Sequence, residues 1–356
     1  MTIKKRGLER PILKGSVNFP ITLAPMVGLS HTSFRRLLLD YAPAGAQTLW
    51  PTEMLNSRRL PLENLGRTPE TYRHPSENGF LIPQILGNEP EPIRQSVEKL
   101  EAWGVQGVDI NMGCPVAKAL KHNYGVSLMG DPHYAAEVVR MTTRVANVPV
   151  SVKLRAVESG ELTDLMKFVE GLVEGGASWL TLHPRRGSQK RRGEADWSQI
   201  RWLREQIDLP VIGNGDVQTV EDVERMLDDT GCDMVMVGRA LTARPWLLWQ
   251  FAEKQGWQMP PEFETRQVPS HPQEEAQEYG RALQRLLSYM REDFSSEPLA
   301  LRKFLFFVKT GSVWLDFGQP LVGLVHKASS IAQLQESLNE FFKQDLSMYQ
   351  RTELRQ

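Results

Sequence analysis

The chain alternates short, β-rich apolar runs with longer segments in which apolar residues recur at helical spacing, such as Leu165, Phe168, Val169 and Leu172. The β-rich runs occupy residues 21–26, 47–54, 80–86, 108–112, 150–154, 179–183, 211–214 and 234–237. Strands that alternate with helices predict βα units and a parallel sheet. Eight such units within about 230 residues fit a closed (β/α)8 barrel, the TIM barrel, better than an open sheet.

The pattern changes after the eighth unit. Residues 256–273 are rich in proline and charge, which is typical of a linker. Beyond them, helical spacing recurs around Leu283 and Leu286 and again around Leu334 and Leu338. We therefore predict a barrel domain at 1–255, a linker at 256–273 and a small all-helical domain at 274–356.

Composition narrows the possible partners and compartment. The formal net charge is −1, so affinity for nucleic acid must come from local patches. Two cysteines make a disulfide framework improbable and point to a reducing compartment. The opening residues do not resemble a signal peptide, and no apolar run approaches the roughly 20 residues that span a bilayer. We expect a cytoplasmic monomer without membrane contact.

In such a barrel, polar groups at the carboxyl ends of the strands converge on one mouth. Several residues there have two interpretations. Lys153 is either a surface lysine or a lysine that pairs with an acidic partner or a bound anion. His183 is either a core histidine with its hydrogen bonds satisfied or a residue that binds a ligand. Gln84 bonds the backbone at the rim or a bound molecule. The candidates at the mouth are Pro25, Met26, Glu53, Gln84, Asn111, Cys114, Lys153, His183, Asn214, Gly215, Asp216, Gly238 and Arg239.

Cys114 follows the fourth strand and is flanked by Gly113 and Pro115. A thiol in this position can be an acid, a nucleophile or a ligand, and the alternative is a small buried hydrophobe. Neither Cys232 nor any histidine lies at a close ligand spacing from Cys114, so no metal site is expected.

Two glycine-containing clusters follow the last two strands, Asn214-Gly215-Asp216 and Gly238-Arg239. The loops after strands seven and eight of such barrels commonly form a phosphate site. Glycine lets the backbone approach the phosphate, and Arg239 can add charge-assisted hydrogen bonds. With a lysine and a glutamine on other strands, these clusters predict a phosphorylated planar cofactor across the mouth.

In its motifs and their order, the chain resembles the bacterial-type tRNA-dihydrouridine synthases, flavoenzymes that reduce uridine in folded tRNA. The resemblance covers roughly residues 23–246. Its most specific element is Asn111-Met112-Gly113-Cys114-Pro115. The other motifs are Ala24-Pro25-Met26-Val27-Gly28, Thr52-Glu53-Met54, Val152-Lys153-Leu154-Arg155, Ala195-Asp196-Trp197, Asn214-Gly215-Asp216 and Gly238-Arg239.

The resemblance implies FMN as cofactor and NADPH as reductant. Carried over by position, Pro25, Met26 and Val27 would line the flavin. Gln84 and Lys153 would hydrogen-bond its ring edge, with Lys153 stabilising the anionic reduced ring, and His183 would contact the ribityl chain or the ring. The residues implied to hold the ribityl chain and phosphate are Asn214, Gly215, Asp216, Gly238 and Arg239.

The resemblance also implies that Cys114 is the proton donor. The C4 carbonyl polarises the C5–C6 bond of uracil, so hydride adds at C6 and C5 takes a proton from the opposite face. This role needs a neutral thiol rather than a thiolate. Asn111 would orient either the base or the loop. The uridine must leave its stack to enter the mouth.

The implied partner is tRNA, with contacts expected in local basic patches. The substrate-binding candidates are Asn111, Lys118, Arg185 and Arg186, with Lys121, His122, Lys190, Arg191 and Arg192 nearby. On the helical domain, Arg302, Lys303 and Lys309 interleave with Phe304, Phe306 and Phe307. That second group is either an RNA-binding patch or a solvated face over a phenylalanine core.

Some loops depart from the family's usual pattern. Pro184-Arg185-Arg186 follows His183 where Gly-Arg-Thr is common, and Ser30-His31 stands where Thr-Asp is frequent. We expect these loops to face the RNA, so they bear on the identity of the substrate. Two other functions stay open: an FMN barrel dehydrogenase of dihydroorotate type acting on a free pyrimidine, and an RNA-binding paralogue without catalysis.

Overall fold

The strands form one parallel sheet that curls into a barrel. The computed structural model describes residues 8–75, 77, 80–115, 122–263 and 265–353. The order of hydrogen-bonded neighbours is β1-β8-β7-β6-β5-β4-β3-β2, which confirms the (β/α)8 barrel. The strands are β1 (Ile21–Leu23), β2 (Leu49–Asn56), β3 (Phe80–Leu86), β4 (Val108–Met112), β5 (Val150–Ala156), β6 (Trp179–Arg186), β7 (Val211–Asn214) and β8 (Met234–Val237).

The two ends of this order, β1 and β2, meet through side chains. Thr22 Oγ1 donates to the Leu49 carbonyl at 2.5 Å, and Thr48 Oγ1 donates to the Ile21 carbonyl at 2.6 Å. Both threonines are buried. Just before the strands, the N–H of Phe19 donates to the carbonyl of Gln47. Reciprocal hydroxyl bonds therefore close the barrel at this seam.

Helices cover the outside of the barrel and follow local sequence signals. Asp131 accepts from the N–H of Tyr134 at the start of α3, and Thr219 and Asp222 form a capping box at the start of α6. Among the described helices, none has both the length and the apolar content needed to cross a bilayer. The bounds are α1 (Thr32–Asp40), α2 (Pro90–Ala102), α3 (Pro132–Thr143), α4 (Leu162–Glu174), α5 (Ser198–Gln206), α6 (Val220–Thr230), α7 (Ala240–Ala243) and α8 (Leu247–Lys254).

Within the described part of the C-terminal region, four further helices confirm its helical character: α9 (Pro272–Asp293), α10 (Glu297–Gly311), α11 (Gly318–Lys327) and α12 (Ile331–Phe341). This region packs on α1, where Arg36 pairs with Asp293 at 2.8 Å and the rings of Phe34 and Phe307 meet at 5.0 Å. One hydrophobic cluster runs through the barrel and these helices. The domain bounds stay a prediction.

The described C-terminal residues return to the barrel mouth. The N–H of Thr352 donates to Gln218 Oε1 at 3.0 Å, and Gln218 Nε2 donates to the Thr352 carbonyl at 3.1 Å. Trp314 Nε1 donates to the same Gln218 oxygen at 3.0 Å. Because Gln218 lies in the loop after β7, this tail is held beside the predicted phosphate loop.

Candidate active site

A chain of hydrogen bonds crosses the interior of the barrel between β5, β4 and β3. Ser151 Oγ donates to Asp109 Oδ1 at 2.6 Å, and Gln84 Nε2 donates to Asp109 Oδ2 at 2.6 Å. Gln84 Oε1 accepts from Asn111 Nδ2, also at 2.6 Å. Burial raises the pKa of Asp109, although the bonds from Gln84 and Ser151 oppose that rise. The chain of bonds fixes the orientation of the Asn111 side chain.

Asn111 in turn holds the loop that carries Cys114. Its Oδ1 accepts from the N–H of Gly113 at 3.1 Å and from the N–H of Cys114 at 2.9 Å. Its Nδ2 also lies 3.2 Å from Met54 Sδ. A carboxamide offers two N–H groups and two lone pairs, so these four contacts use its full capacity. Of the two roles expected for Asn111, the geometry favours holding the loop, and contact with the base stays a prediction.

Cys114 is a buried free thiol that packs with Tyr124, Met54 and Leu86. The N–H of Val126 donates to the Cys114 carbonyl at 3.1 Å. Gly125 has a φ of 61°, and a Cβ there would lie 2.5 Å from that carbonyl oxygen, so this close approach requires glycine. The predicted RNA contact Lys118 and its neighbour Lys121 lie outside the described residues.

Two cations on β5 lie beside this loop. Burial and then the charge of Arg155 lower the pKa of Lys153 to about 8, while Asp109 and Cys114 act in the opposite sense. Arg155 Nε donates to the Gly113 carbonyl at 2.8 Å, and Cys114 also acts to raise the pKa of Arg155. The electrostatic field of both cations therefore reaches the thiol.

Arg185 lies in the cavity wall rather than on an exposed loop. The strand β6 extends to Arg186, and only 6% of Arg185 is exposed. Its two terminal nitrogens each lie 2.7 Å from one carboxylate oxygen of Asp216. Arg186, by contrast, is exposed. The expectation that Arg185 follows strand six on an RNA-facing loop is corrected, because a buried guanidinium is stable only when it is paired. Its contact with RNA stays a prediction.

The loop after β7 has a backbone that few residues adopt. Gly215 has a φ of 118° and Asp216 a φ of 58°. A Cβ at Gly215 would lie 2.8 Å from the Cβ of Ala195 and 3.0 Å from the ring of His183. Asp216 Oδ2 accepts from the Ala195 N–H at 2.7 Å, and Trp197 Nε1 donates to the Gly215 carbonyl at 3.0 Å. The Ala195-Asp196-Trp197 motif thus supports the predicted phosphate loop.

Ser30 shapes the loop after β1. Its hydroxyl donates to the Ala24 carbonyl at 3.0 Å and accepts from the Met26 N–H at 2.8 Å. His31 beside it is buried, with its ring 5.2 Å from that of Phe294. Burial, with the charges of Lys303 and Arg35, lowers the pKa of His31 to about 3. The expectation that the loop with Ser30-His31 faces the RNA is therefore wrong for His31, because its ring lies in the core.

Positive charge is concentrated at the far side of the mouth. Burial, together with the charges of Arg191 and Arg185, lowers the pKa of Arg239 to about 10. Burial also holds the pKa of His183 well below its usual value, together with the charges of Lys153 and Arg155. His183 is thus neutral at pH 7, and the arginines around it favour a multiply charged anion.

These groups surround a cavity of about 560 Å³ at the carboxyl ends of the strands. Of the described catalytic, cofactor and substrate candidates at the mouth, those outside its lining are Glu53, Gln84, Asn111, Cys114, Lys153 and Arg186. The predicted cofactor residues in the lining are Pro25, Met26, Val27, His183, Asn214, Gly215, Asp216, Gly238 and Arg239. The helical region and the tail add Phe306, Lys309, Thr310, Val313, Trp314 and Glu353.

In the helical group, the interpretation as a phenylalanine core holds for two residues, and RNA binding by the group stays a prediction. Phe304 and Phe307 are 0% and 1% exposed in the core, whereas Phe306 is 47% exposed and faces the cavity. Lys303 lies 3.5 Å from Glu53 and 2.7 Å from Glu70. The contributions of Trp314 and Glu353 were not predicted, because no local signal links them to the mouth.

Sequence comparison places the chain among known proteins. It is 35% identical over 243 residues to a probable tRNA-dihydrouridine synthase 1 of Synechocystis sp., covering 67% of this chain and 66% of that protein. It is 34% identical over 238 residues to a probable tRNA-dihydrouridine synthase of Aquifex aeolicus, covering 66% and 73%. For tRNA-dihydrouridine synthase B of Shewanella oneidensis the identity is 30% over 227 residues, covering 64% and 69%.

The model of the dihydrouridine synthase family matches residues 22–303, which include all the strand ends around the cavity and the first residues of α10. The match therefore extends from β1 into the helical region. The chain belongs to the dihydrouridine synthase family.

Proposed function

We propose that this protein reduces uridine to 5,6-dihydrouridine in tRNA, with FMN as its bound cofactor and NADPH as the reductant. The substrate class comes from the relatives, whose names state tRNA-dihydrouridine synthesis. The observation that carries the proposal is the Cys114 loop, which Asn111 holds at the end of β4 next to Lys153 and Arg155.

The cavity fits FMN in size and in donor set. Its volume of about 560 Å³ is in the range of small-molecule sites. Gly215 lines the cavity with a backbone φ of 118°, which favours glycine, and Arg239 and Arg191 supply the positive charge that a phosphate dianion needs. Gly215, Gly238 and Arg239 would hold the phosphate, and the loop after β1 would cover the ring system. When bound, FMN supplies the hydride that adds at C6 of the uracil.

Cys114 supplies the proton. Its S–H bond breaks as a C–H bond forms at C5, where negative charge develops because of the C4 carbonyl. The thiolate that remains is stabilised by the charges of Lys153 and Arg155, and solvent then restores the thiol. Per turnover, one uridine, one NADPH and one proton give one dihydrouridine and one NADP⁺.

Neighbouring side chains prepare this step without reacting. The neutral His183 places no further positive charge beside the arginines. Gln84 acts through Asn111, because its amide is engaged with Asp109 and Asn111. Exposed Arg186 and the cavity residue Lys309 are suited to contact RNA phosphates.

Nucleoside mass spectrometry tests the proposal. Unmodified tRNA transcripts are incubated with the protein, FMN and NADPH, and free uracil and orotate serve as parallel substrates. We expect dihydrouridine in the transcripts and no turnover of the free bases. A yellow protein that oxidises NADPH and reduces only a free pyrimidine would overturn the substrate assignment in favour of the dihydroorotate-type alternative. A colourless protein that binds tRNA without product would favour the inactive paralogue.

A further inference from the structure

One aromatic ring of the helical region is exposed at the mouth of the barrel. Helix α10 carries three phenylalanines, and its turn places Phe304 and Phe307 in the core. Phe306 lies between them in sequence but points the other way, with 47% of its surface exposed. Because Phe306 also lines the cavity, this exposed ring is available to a ligand at the mouth.

The ring of Phe306 rests on the loop after β1. A Cβ at Gly28 would lie 3.0 Å from Phe306 Cε1 and 3.1 Å from Cδ1, so the ring packs closely over this glycine. Gly28 has a φ of 82°, which also favours glycine. Val27 beside it is 55% exposed. Phe306 and Val27 therefore form an apolar rim at the cavity entrance.

Cations accompany this apolar rim. Lys309 lies one helical turn after Phe306, and both residues line the cavity together with Arg191. Of the charged side chains in the lining, Arg155, Arg185, Arg191, Arg239 and Lys309 outnumber the acids Asp216 and Glu353. A flat apolar ring next to lysine and arginine matches a polyanion that carries planar rings, which is the chemistry of single-stranded nucleic acid.

We propose that Phe306 stacks on the nucleobase next to the reacting uridine, while Lys309 binds a phosphate of the same strand. This inference rests on the proposed function. When a uridine leaves its stack, its neighbour loses one stacking face. The ring of Phe306 replaces that face at the entrance and so stabilises the extruded strand. Because any base offers a π-face, this contact positions the strand without reading its sequence.

The other planar groups that could occupy this rim are the ring system of FMN and the nicotinamide of NADPH. The proposed phosphate-binding residues Gly215, Gly238 and Arg239 lie in the segments directly after β7 and β8, whereas Phe306 comes from α10. Its half-exposed ring suits a ligand that arrives from solvent and leaves again. The variants below separate these occupants because each would change a different binding constant.

The experiment uses the full chain loaded with FMN. Phe306→Leu removes the π-face and keeps an apolar side chain, Phe306→Trp enlarges the π-face, and Phe317→Leu is the matched control at another exposed phenylalanine (57%). We expect Phe306→Leu to raise the KM for unmodified tRNA roughly 5- to 20-fold, with a much smaller effect on kcat. Phe306→Trp, which keeps a π-face, should retain a low KM for tRNA. Phe317→Leu should have the same KM for tRNA as the wild type.

Two direct binding measurements complete the test: fluorescence anisotropy of labelled tRNA, and titration of the apoprotein with FMN. A wild-type KM for tRNA in Phe306→Leu would overturn the proposal. So would a loss of FMN or NADPH affinity with unchanged tRNA affinity, which would assign the ring to a cofactor. If the wild type binds tRNA in a Phe306-dependent way but forms no dihydrouridine, the stacking contact stands and the proposed reaction fails. If the wild type binds no tRNA, both fail.

Discussion

The carboxamide oxygen of Asn111 accepts a hydrogen bond of 2.9 Å from the backbone N–H of Cys114. Asn111, near the end of β4, therefore holds the backbone of Cys114, three residues further along the chain, and so positions its thiol. The Asn111 side chain also hydrogen-bonds to Gln84, and Gln84 hydrogen-bonds to Asp109. A buried chain of hydrogen bonds thus links Asp109, in the barrel interior, to the loop of Cys114, which we propose as the acid.

Replacement of Asn111 by alanine should break this series of hydrogen bonds between Gln84 and the Cys114 loop. The N–H groups of Gly113 and Cys114 would lose their acceptor, and each unsatisfied buried group costs about 1–3 kcal/mol. We expect the free energy of unfolding in urea to fall by about 3 kcal/mol, and kcat to fall roughly 100-fold because the acid is misplaced.

Asn111→Asp is the companion variant. It keeps an acceptor for the two N–H groups but sets an oxygen against Gln84 Oε1, so it should lose stability and retain more kcat than Asn111→Ala. Equal kcat in both variants and the wild type would show that Asn111 does not position the thiol.

Cys114→Ala should abolish product and spare the cofactor. We expect dihydrouridine formation to fall roughly 10²- to 10⁴-fold, the usual effect of losing a general acid. Since Cys114 is not part of the cavity lining, FMN content should stay near that of the wild type. Cys232→Ala is the matched control, because this second cysteine is buried away from the mouth among core residues such as Met226. Full activity of Cys114→Ala, measured by nucleoside mass spectrometry, would rule out the assignment.

The pH dependence of the reaction should reflect the protonation of the Lys153 amine. Its pKa is lowered to about 8 by burial first and by Arg155 second, so the cation is present below pH 8 and is lost as the pH rises. We expect kcat to decline above pH 8, approaching tenfold per pH unit. Lys153→Arg keeps its charge in this range and should remove the decline. A decline that persists in Lys153→Arg would assign the titration to another group.

Neighbouring arginines at the end of β6 should behave differently. Arg185→Ala leaves the carboxylate of Asp216 without its partner and should lower the free energy of unfolding by about 3 kcal/mol, with weaker FMN binding. Arg186→Ala removes an exposed charge and should change stability by less than about 0.5 kcal/mol.

The two variants also separate cofactor from RNA contacts. We expect Arg186→Ala to raise the KM for tRNA and to reduce its dependence on salt, as the loss of one phosphate contact does. If Arg185→Ala instead leaves FMN affinity and stability intact while the KM for tRNA rises, Arg185 contacts RNA, as the sequence resemblance suggested.

The barrel was predictable from the sequence because its signal is local. Each strand shows as a short apolar run, and every cofactor candidate except Gln84 stands at or next to the end of a predicted run, as with His183 at the end of residues 179–183 and Asn214 in β7. Convergence of these ends on one mouth follows from topology alone. Nine of the eleven predicted cofactor residues line one cavity for this reason.

Long-range pairing is what the sequence did not reveal. Arg185 stands in a cationic run that is typical of a solvated loop, and its partner Asp216 is 31 residues away. The roles of Gln84 and Asn111 as links in one buried chain likewise depend on strand register, which pairs Gln84 with Asp109. Helical phase could have separated Phe306 from Phe304 and Phe307, since residues three apart share a helix face and residues two apart do not. The contact between the tail and Gln218 has no local signature.

The threonine seam between β1 and β2 bears on how the barrel fluctuates. Other neighbouring strands share a ladder of main-chain bonds, but here the closure depends largely on the hydroxyls of Thr22 and Thr48. We expect amide hydrogen exchange in β1 and β2 to be the fastest among the strands, and Thr48→Val to accelerate it further. The residues directly after β1 form the loop over which Phe306 rests. Transient opening of this seam would therefore act as a hinge, letting the entrance widen as a nucleotide passes while β3 to β8 remain rigid.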